Sequence, residues 1–422
     1  MRTIRRLRRK GKRLALQPVA ALPGEVPEVD VRVALIQAWI PVGLAAVGEE
    51  LQREVEALTG PRYARTGGQP GLVRWGQQAG SVYLADQKIP VTVPRVRDQR
   101  RPVEVPLASY QQLQAPRARD DGLFRRVLSG LACRDYAACA EAVPAAFGLA
   151  RSTVSRRFVR ASARQLQTLL ERPLTLPEGE QWVALFVDGK AFADDALVIA
   201  LGVTTTGRKQ LLGFVQTATE NERVCAAFLR QLGERGFTAP DGLLVVRDGA
   251  KGLRAAIRTV FGARAQVQRC QWHKRENVVR YLPKAQQGEW RRMLQAAYER
   301  PTYEAAKTAL TRLHRELRLL NASAAASLLE GLEETLTLHR LGLVRELGAS
   351  FKTTNVLESV MAQVERRTGR VTHWRTSDQK QRWCAAALLA LEPRLRKVKG
   401  YRHLPTLATV LRRETTSSRD AA

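Results

Sequence analysis

The sequence has 422 residues, enough for about three domains at roughly 150 residues each, and its 45% hydrophobic content is that of a globular chain. Its 69 lysines and arginines against 40 acids leave a formal charge of +29; this points to a polyanionic partner and, with so full an apolar complement, away from a simple basic coat protein. Five scattered cysteines exclude a disulfide framework, and the lack of a signal-peptide core or an apolar run of about 18 residues leads to the expectation of a soluble, intracellular protein.

In chain order, "MRTIRRLRRKGKR" carries eight basic residues, and no acid occurs before Glu25. This stretch reads as a flexible, DNA-touching arm, and the proline-containing segment after it as a linker, together residues 1–50. Residues 51–116 read as a small β-containing region. There "GSVYLADQKIPVTVPRVRD" alternates like a hairpin, and Pro90 and Pro94 hold such strands at an edge.

Residues 117–175 read as a helix–turn–helix domain. "CRDYAACAEA" is one helix, Pro144 starts a short second, Gly148 allows a turn, and "RSTVSRRFVRASARQLQTLLER" is the third, with Ser152 as N-cap. This places Ser152, Thr153, Ser155, Arg156 and Arg157 where a recognition helix meets bases and phosphates. The alternative is a plain three-helix bundle with solvated arginines.

From Gln181 the pattern becomes α/β. "WVALFVDG", "ALVIALGVT" and "KQLLGFVQ" read as a meander, then a helix from Asn221, the strand "LLVVRDG", a helix Lys251–Phe261 and the strand "AQVQRCQ". The order βββαβαβ predicts three antiparallel strands extended by two parallel ones, a ribonuclease H-like plan. The expected catalytic domain covers 178–275 and 346–395, split by an all-helical insertion over 276–345. Residues 396–422 read as a loose basic tail.

Asp188 ends the first of these strands and Asp248 the fourth, so a sheet of this kind brings the two carboxylates together. Side by side they repel unless a cation lies between them, and hard oxygen ligands favour Mg2+ or Mn2+. A third carboxylate is expected from "NVLESVMAQVE", where Glu358 lies beside an apolar stripe and Glu365 is its rival. Either could instead be a solvated face.

The segments "FVDG", "VVRDGAKGL", "RCQWHKRENV" and "TTNVLESV…RRTGR" give residues 120–393 a pattern that resembles the Mutator-type bacterial insertion-sequence transposases. The resemblance implies an Asp-Asp-Glu triad at Asp188, Asp248 and Glu358, two metal ions, cleavage that frees a 3′-hydroxyl, and transesterification into target DNA. It implies double-stranded DNA partners (element ends and target), a homodimer or larger assembly, no membrane, and a place in the bacterial cytoplasm at the nucleoid. It also implies an active-site signature at Cys270 and His273. As half a zinc site that pair lacks a second half; His273 near a scissile phosphate and a simple packing pair are both open.

Lys251, Lys274, Arg366 and Arg367 are further expected DNA contacts, with Lys190 and Arg275 as candidates for phosphate. Asp194 and Asp195 read as turn residues, and Trp290 and Trp374 as core rather than base-stacking residues. Two rivals stand beside a transposase: a helix–turn–helix regulator with an inert sheet, and a ribonuclease H-like nuclease without strand transfer.

Overall fold

The computed structural model describes residues 5–10, 13–18, 28–63, 68–84, 87–114, 121–133, 151–192, 194–218 and 221–420. The chain is mixed α/β and divides into two compact units, Met1–Leu123 with Ala132–Ser155, and Phe124–Leu131 with Arg156–Ala422.

In the first unit, β1 (Arg5–Lys10) pairs antiparallel with β2 (Arg13–Pro18), so the expected arm is in part a hairpin. The expected linker is corrected further by α1 (Glu28–Thr59). Val47, Leu51 and Val55 recur every fourth residue and are buried with Val82, Val93, Val96 and Leu107, a one-sided stripe that calls for a helix. The predicted hairpin is β3 (Leu72–Leu84) and β4 (Gln87–Asp98), extended by β5 (Val103–Val105). β4 meets β5 only over Val96–Asp98, so Pro90 and Pro94 lie where β4 has one neighbour, the position at which a residue without an amide proton is tolerated. A short helix α2 (Ala108–Gln114) closes this part.

Of the predicted helix–turn–helix, α3 (Asp121–Leu128) and α4 (Arg151–Glu171) are described; the expected helices and turn over 134–150 lie outside the described residues. Because α4 already includes Arg151, Ser152 lies inside its first turn and is not its cap.

The second unit is built on a five-stranded sheet in the order β10-β9-β6-β7-β8. Its strands are β6 (Trp182–Phe192), β7 (Asp195–Thr204), β8 (Lys209–Thr217), β9 (Leu243–Arg247) and β10 (Ala265–Arg269). β6, β7 and β8 are antiparallel, and β9 and β10 run parallel to β6. The strands are apolar on both faces because both are covered. Leu185, Val187, Val198, Ala200, Leu243 and Val245 face α5 (Glu222–Glu234) and α6 (Lys251–Phe261). Phe186, Ile199, Leu201, Leu244 and Val246 face α13 (Val344–Phe351), α14 (Asn355–Thr368), α15 (Ser377–Leu391) and α16 (Leu404–Asp420).

Between β10 and α13 run α7 (Gln271–Val279), α8 (Lys284–Tyr298), α9 (Tyr303–Leu320), α10 (Ala322–Leu329), α11 (Leu332–Thr335) and α12 (Thr337–Arg340). Pro301 falls between α8 and α9, and Gly331, with φ 63°, breaks α10 from α11. Side chains from Val278 to Leu336 make a core of their own, Trp290 included, whereas Leu338, Leu341 and Leu343 already belong to the sheet's core.

The expectation of a loose basic tail is corrected by α16. Leu404, Leu407 and Leu411 form a helical stripe with no exposed surface, packed into the sheet's core. Leu407→Ala is expected to cost about 3 kcal/mol, whereas Arg413→Ala, on the exposed face, stays within about 0.5 kcal/mol. Denaturant midpoints of the two variants against the parent check this; a loose tail would make both neutral.

Candidate active site

The site begins with strand register. Val187 pairs with Arg247, the last residue of β9, so Asp188 and Asp248 follow side by side on parallel strands. Side chains alternate along a strand, and Asp188 therefore shares the face of Phe186, under α14. β6 does not end at Asp188, as the sequence led us to expect; it continues to Phe192 because β7 pairs with it as far as Asp195.

The buried stripe of α14 is Leu357, Val360, Met361 and Val364. It seats the helix on the sheet and brings the half-buried Glu358 over Asp188, whereas Glu365, its rival, is exposed. Asp188, His273 and Glu358 each place a ligand atom within 4.8 Å of the other two, the group with metal-ligating spacing found among the described residues. Asp248 lies outside this group. It stands half-buried on the flank, its Oδ1 accepting from the Ala250 amide at 3.0 Å.

Threonine 354 ties the site together, and sequence reading did not single it out. Its amide donates to Cys270 Sγ at 3.4 Å, and its hydroxyl lies 3.3 Å from His273 Nδ1. The neighbouring Gln271 amide donates to the Lys352 carbonyl at 2.9 Å. The Cys270–His273 pair thus grips the turn that delivers Glu358. The cysteine is fully buried, and burial pushes its thiol upward. The only sequence signal for Thr354 is its place between the pair's partner segment and Glu358, and that place acquires meaning only in three dimensions.

The electrostatics follow from burial. Asp188 is 2% exposed and its Oδ2 accepts no hydrogen bond; Glu358 Oε1 likewise has none. Burial first, and then the Asp248 carboxylate, push Asp188 up to about 7, with Lys190 Nζ, 4.0 Å away, opposing. Burial likewise pushes His273 down, against the pull of Glu358. Two carboxylates within 4.8 Å of each other, each with an oxygen that accepts no hydrogen bond, and a ring nitrogen beside them form a donor set that suits a divalent cation.

A raised native pKa means that the folded state of the metal-free protein holds a proton the unfolded chain has lost. Stability from this group is therefore full below pH 4 and falls as pH rises towards 7. Asp188→Asn is expected to gain on the parent across that window, by on the order of a few kcal/mol, and excess Mg2+ is expected to shrink the gap. Melting temperatures of both proteins between pH 4 and 8, in chelator and in metal, check this.

The remaining expected contacts distribute unevenly. Ser152, Ser155 and Arg156 are exposed on α4, while Thr153 and Arg157 are half-buried. Lys251 is exposed in the first turn of α6 and Arg366 in the last turn of α14; Arg367 is half-buried and donates to the Gln363 carbonyl at 3.1 Å. Lys274 is corrected. It has no exposed surface, and its ammonium donates to the carbonyls of Ser327 and Glu330 at the C-terminal end of α10, where a helix dipole favours a cation. Burial lowers it to about 7, and it is out of reach of a phosphate. Asp195 accepts from Lys380 at 2.7 Å, and Trp374 packs on Phe192 with ring centroids 5.2 Å apart.

Residues 42–392 match the profile of the family described as "Transposase, Mutator family". The chain belongs to that family. The chain is similar to the transposase for insertion sequence element IS6120 from Mycolicibacterium smegmatis, 29% identical over 57% of this chain and 74% of the relative. The transposase of IST2 from Acidithiobacillus ferrooxidans is 34% identical over 41% of this chain and 57% of that protein. The transposase of IS905 from Lactococcus lactis is 25% identical over 76% of this chain and 81% of that protein. The match to the second of these thus spans little more than half its length. Asp188, Asp248, Cys270, His273 and Glu358 all fall within the span that matches the Mutator family. Among the described residues, no helix is long and apolar enough to cross a membrane.

Proposed function

We propose that this Mutator-family chain is an Asp-Asp-Glu DNA transposase with a ribonuclease H-like catalytic domain. The observation that carries the proposal is the approach of the Asp188 and Glu358 carboxylates, each with one oxygen that accepts no hydrogen bond, beside Asp248 just past the end of β9. Three antiparallel strands continued by two parallel ones support the fold reading. The separate core over Val278–Leu336 supports a helical insertion domain, and the exposed Ser152, Ser155 and Arg156 support α4 as a DNA-recognition helix, with Lys251, Arg366 and Arg367 along the backbone.

Asp188, Asp248 and Glu358 would hold divalent cations, two Mg2+ or Mn2+ ions. Bound there, they supply Lewis acidity to an attacking oxygen and charge relief to a leaving one. The protein's own residues do the rest. Asp188 presents a buried carboxylate that gains by ionising only when a cation is present. Lys190 stands beside it with a positive charge for a phosphate oxygen. In the first step water adds to phosphorus as the P–O3′ bond breaks, and the released 3′-oxygen takes a proton. In the second that 3′-hydroxyl, losing its proton, attacks a target phosphodiester as another P–O3′ bond breaks. No covalent bond to protein is needed. Two element ends must be held at once, so a homodimer or larger assembly, acting at the nucleoid, goes with this reading.

The test uses full-length protein and DNA carrying the sequence that flanks its gene, with Mg2+ or Mn2+. Nicking at the ends followed by joining to a second duplex is expected. Cutting without joining favours a nuclease, and binding without cutting in either metal favours a regulator.

A further inference from the structure

We propose that His273 is itself a metal ligand, its Nε2 completing one cation position with Asp188 and Glu358, and that Thr354 is the positioning residue that presents it. The inference rests on the metal-dependent reading above and assigns a nitrogen to what an acidic triad alone would make an all-oxygen site.

The geometry comes first. A ring nitrogen of His273 belongs to the same mutual group, within 4.8 Å, as the carboxylates of Asp188 and Glu358. Nδ1 is engaged by the Thr354 hydroxyl at 3.3 Å, which leaves Nε2 to face the site, 3.5 Å from Glu358 Oε1. That separation is longer than the 2.7–2.9 Å of a charge-assisted hydrogen bond, and Glu358 Oε1 accordingly has no hydrogen-bond partner. These two electron-rich atoms lie in one group with a carboxylate oxygen of Asp188, a side chain only 2% exposed whose Oδ2 accepts no hydrogen bond. A cation shared among them satisfies all three.

The tautomer follows from the same contacts. With Nδ1 donating to the Thr354 hydroxyl oxygen, Nε2 carries the lone pair and is free to ligate. A ligating histidine whose other nitrogen donates to a fixed acceptor is the usual support for a metal-bound imidazole. Thr354 is held for this by the hydrogen bond its amide donates to Cys270 Sγ, and it is fully buried. The Cys270–His273 spacing thereby gains a chemical reason: one residue grips the turn, and the other ligates. A nitrogen donor also favours Mn2+ over Mg2+ relative to a carboxylate cage.

Full-length protein titrated with Mn2+ tests this by electron paramagnetic resonance, free Mn2+ giving the affinity and pulsed spectra reporting nitrogen coupling to the bound ion. Wild type is expected to show histidine nitrogen coupling that changes character when histidine is labelled with 15N, a test that needs no substitution. His273→Ala is expected to lose the coupling and to bind Mn2+ about tenfold more weakly or worse, and Thr354→Val to weaken it about tenfold, with melting curves confirming that each is folded. Bound Mn2+ without nitrogen coupling overturns the assignment of His273 and leaves the carboxylate reading standing. If Mn2+ fails to bind, or binds equally to wild type and to the Asp188→Asn, Glu358→Gln double variant, the metal reading falls as well.

Discussion

Asp248→Asn is expected to leave DNA binding intact and to lower metal-dependent cleavage about a thousandfold or more, roughly 4 kcal/mol of barrier. The substitution keeps what holds the loop. Asn retains the oxygen that accepts from the Ala250 amide at 3.0 Å, and the backbone carbonyl of residue 248 still accepts from Arg247 Nη1 at 2.8 Å. It removes the charge that stands beside Asp188 at the strand ends. Cleavage and joining measured on pre-cut and uncut element ends, next to a binding titration of the same DNA, separate the two effects. Equal loss of binding and cleavage would mean that Asp248 works through the fold, and full activity would remove it from the chemistry.

Glu334→Ala is expected to cost about 3 kcal/mol of stability. Arg247 is 1% exposed, and its guanidinium pairs with Glu334, which lies in α11 on the helical excursion; Arg254 reaches the same carboxylate at 2.7 Å. Truncating Glu334 leaves a buried cation at the end of β9 without its ion-pair partner, next to the Asp248 loop. The Arg247→Met, Glu334→Leu double variant removes both charges and is expected to regain most of the loss. Thermal melting of the single and double variants decides the matter: if the double is no better than the single, packing and not charge is what Glu334 supplies.

Much of the sheet was legible because its signal is local. Runs such as "ALFV" and "LLVV" are apolar on both faces, and the alternation of their buried sides follows from register alone. The pairing of Asp188 with Asp248 was legible for the same reason. Helical periodicity could not separate Glu358 from Glu365, since both flank one stripe; only the packing of α14 shows Glu358 half-buried near Asp188 and Glu365 exposed. Lys274 misled because a lysine following a strand looks like a phosphate ligand, while its partners, the carbonyls of Ser327 and Glu330, are more than 50 residues away. The stripe of α16 was present in "LPTLATVL" but was masked by the basic composition around it. Thr354 had no signature beyond its place shortly before Glu358, because its role consists of contacts to Cys270 and His273, more than 80 residues earlier.

The clasp between Cys270–Gln271 and Lys352–Thr354 has a consequence for chain topology. The chain leaves the sheet and returns to it at the same place, fastened there by the Gln271 amide on the Lys352 carbonyl and the Thr354 amide on Cys270 Sγ. Everything from α7 to α13 is therefore one closed loop whose ends are already joined. The entropy of closing such a loop grows only with the logarithm of its length, about 0.6 kcal/mol for each doubling. Helices added or removed within it would change little at the clasp, and Glu358 would be delivered to Asp188 from the same anchor whatever the length of the excursion.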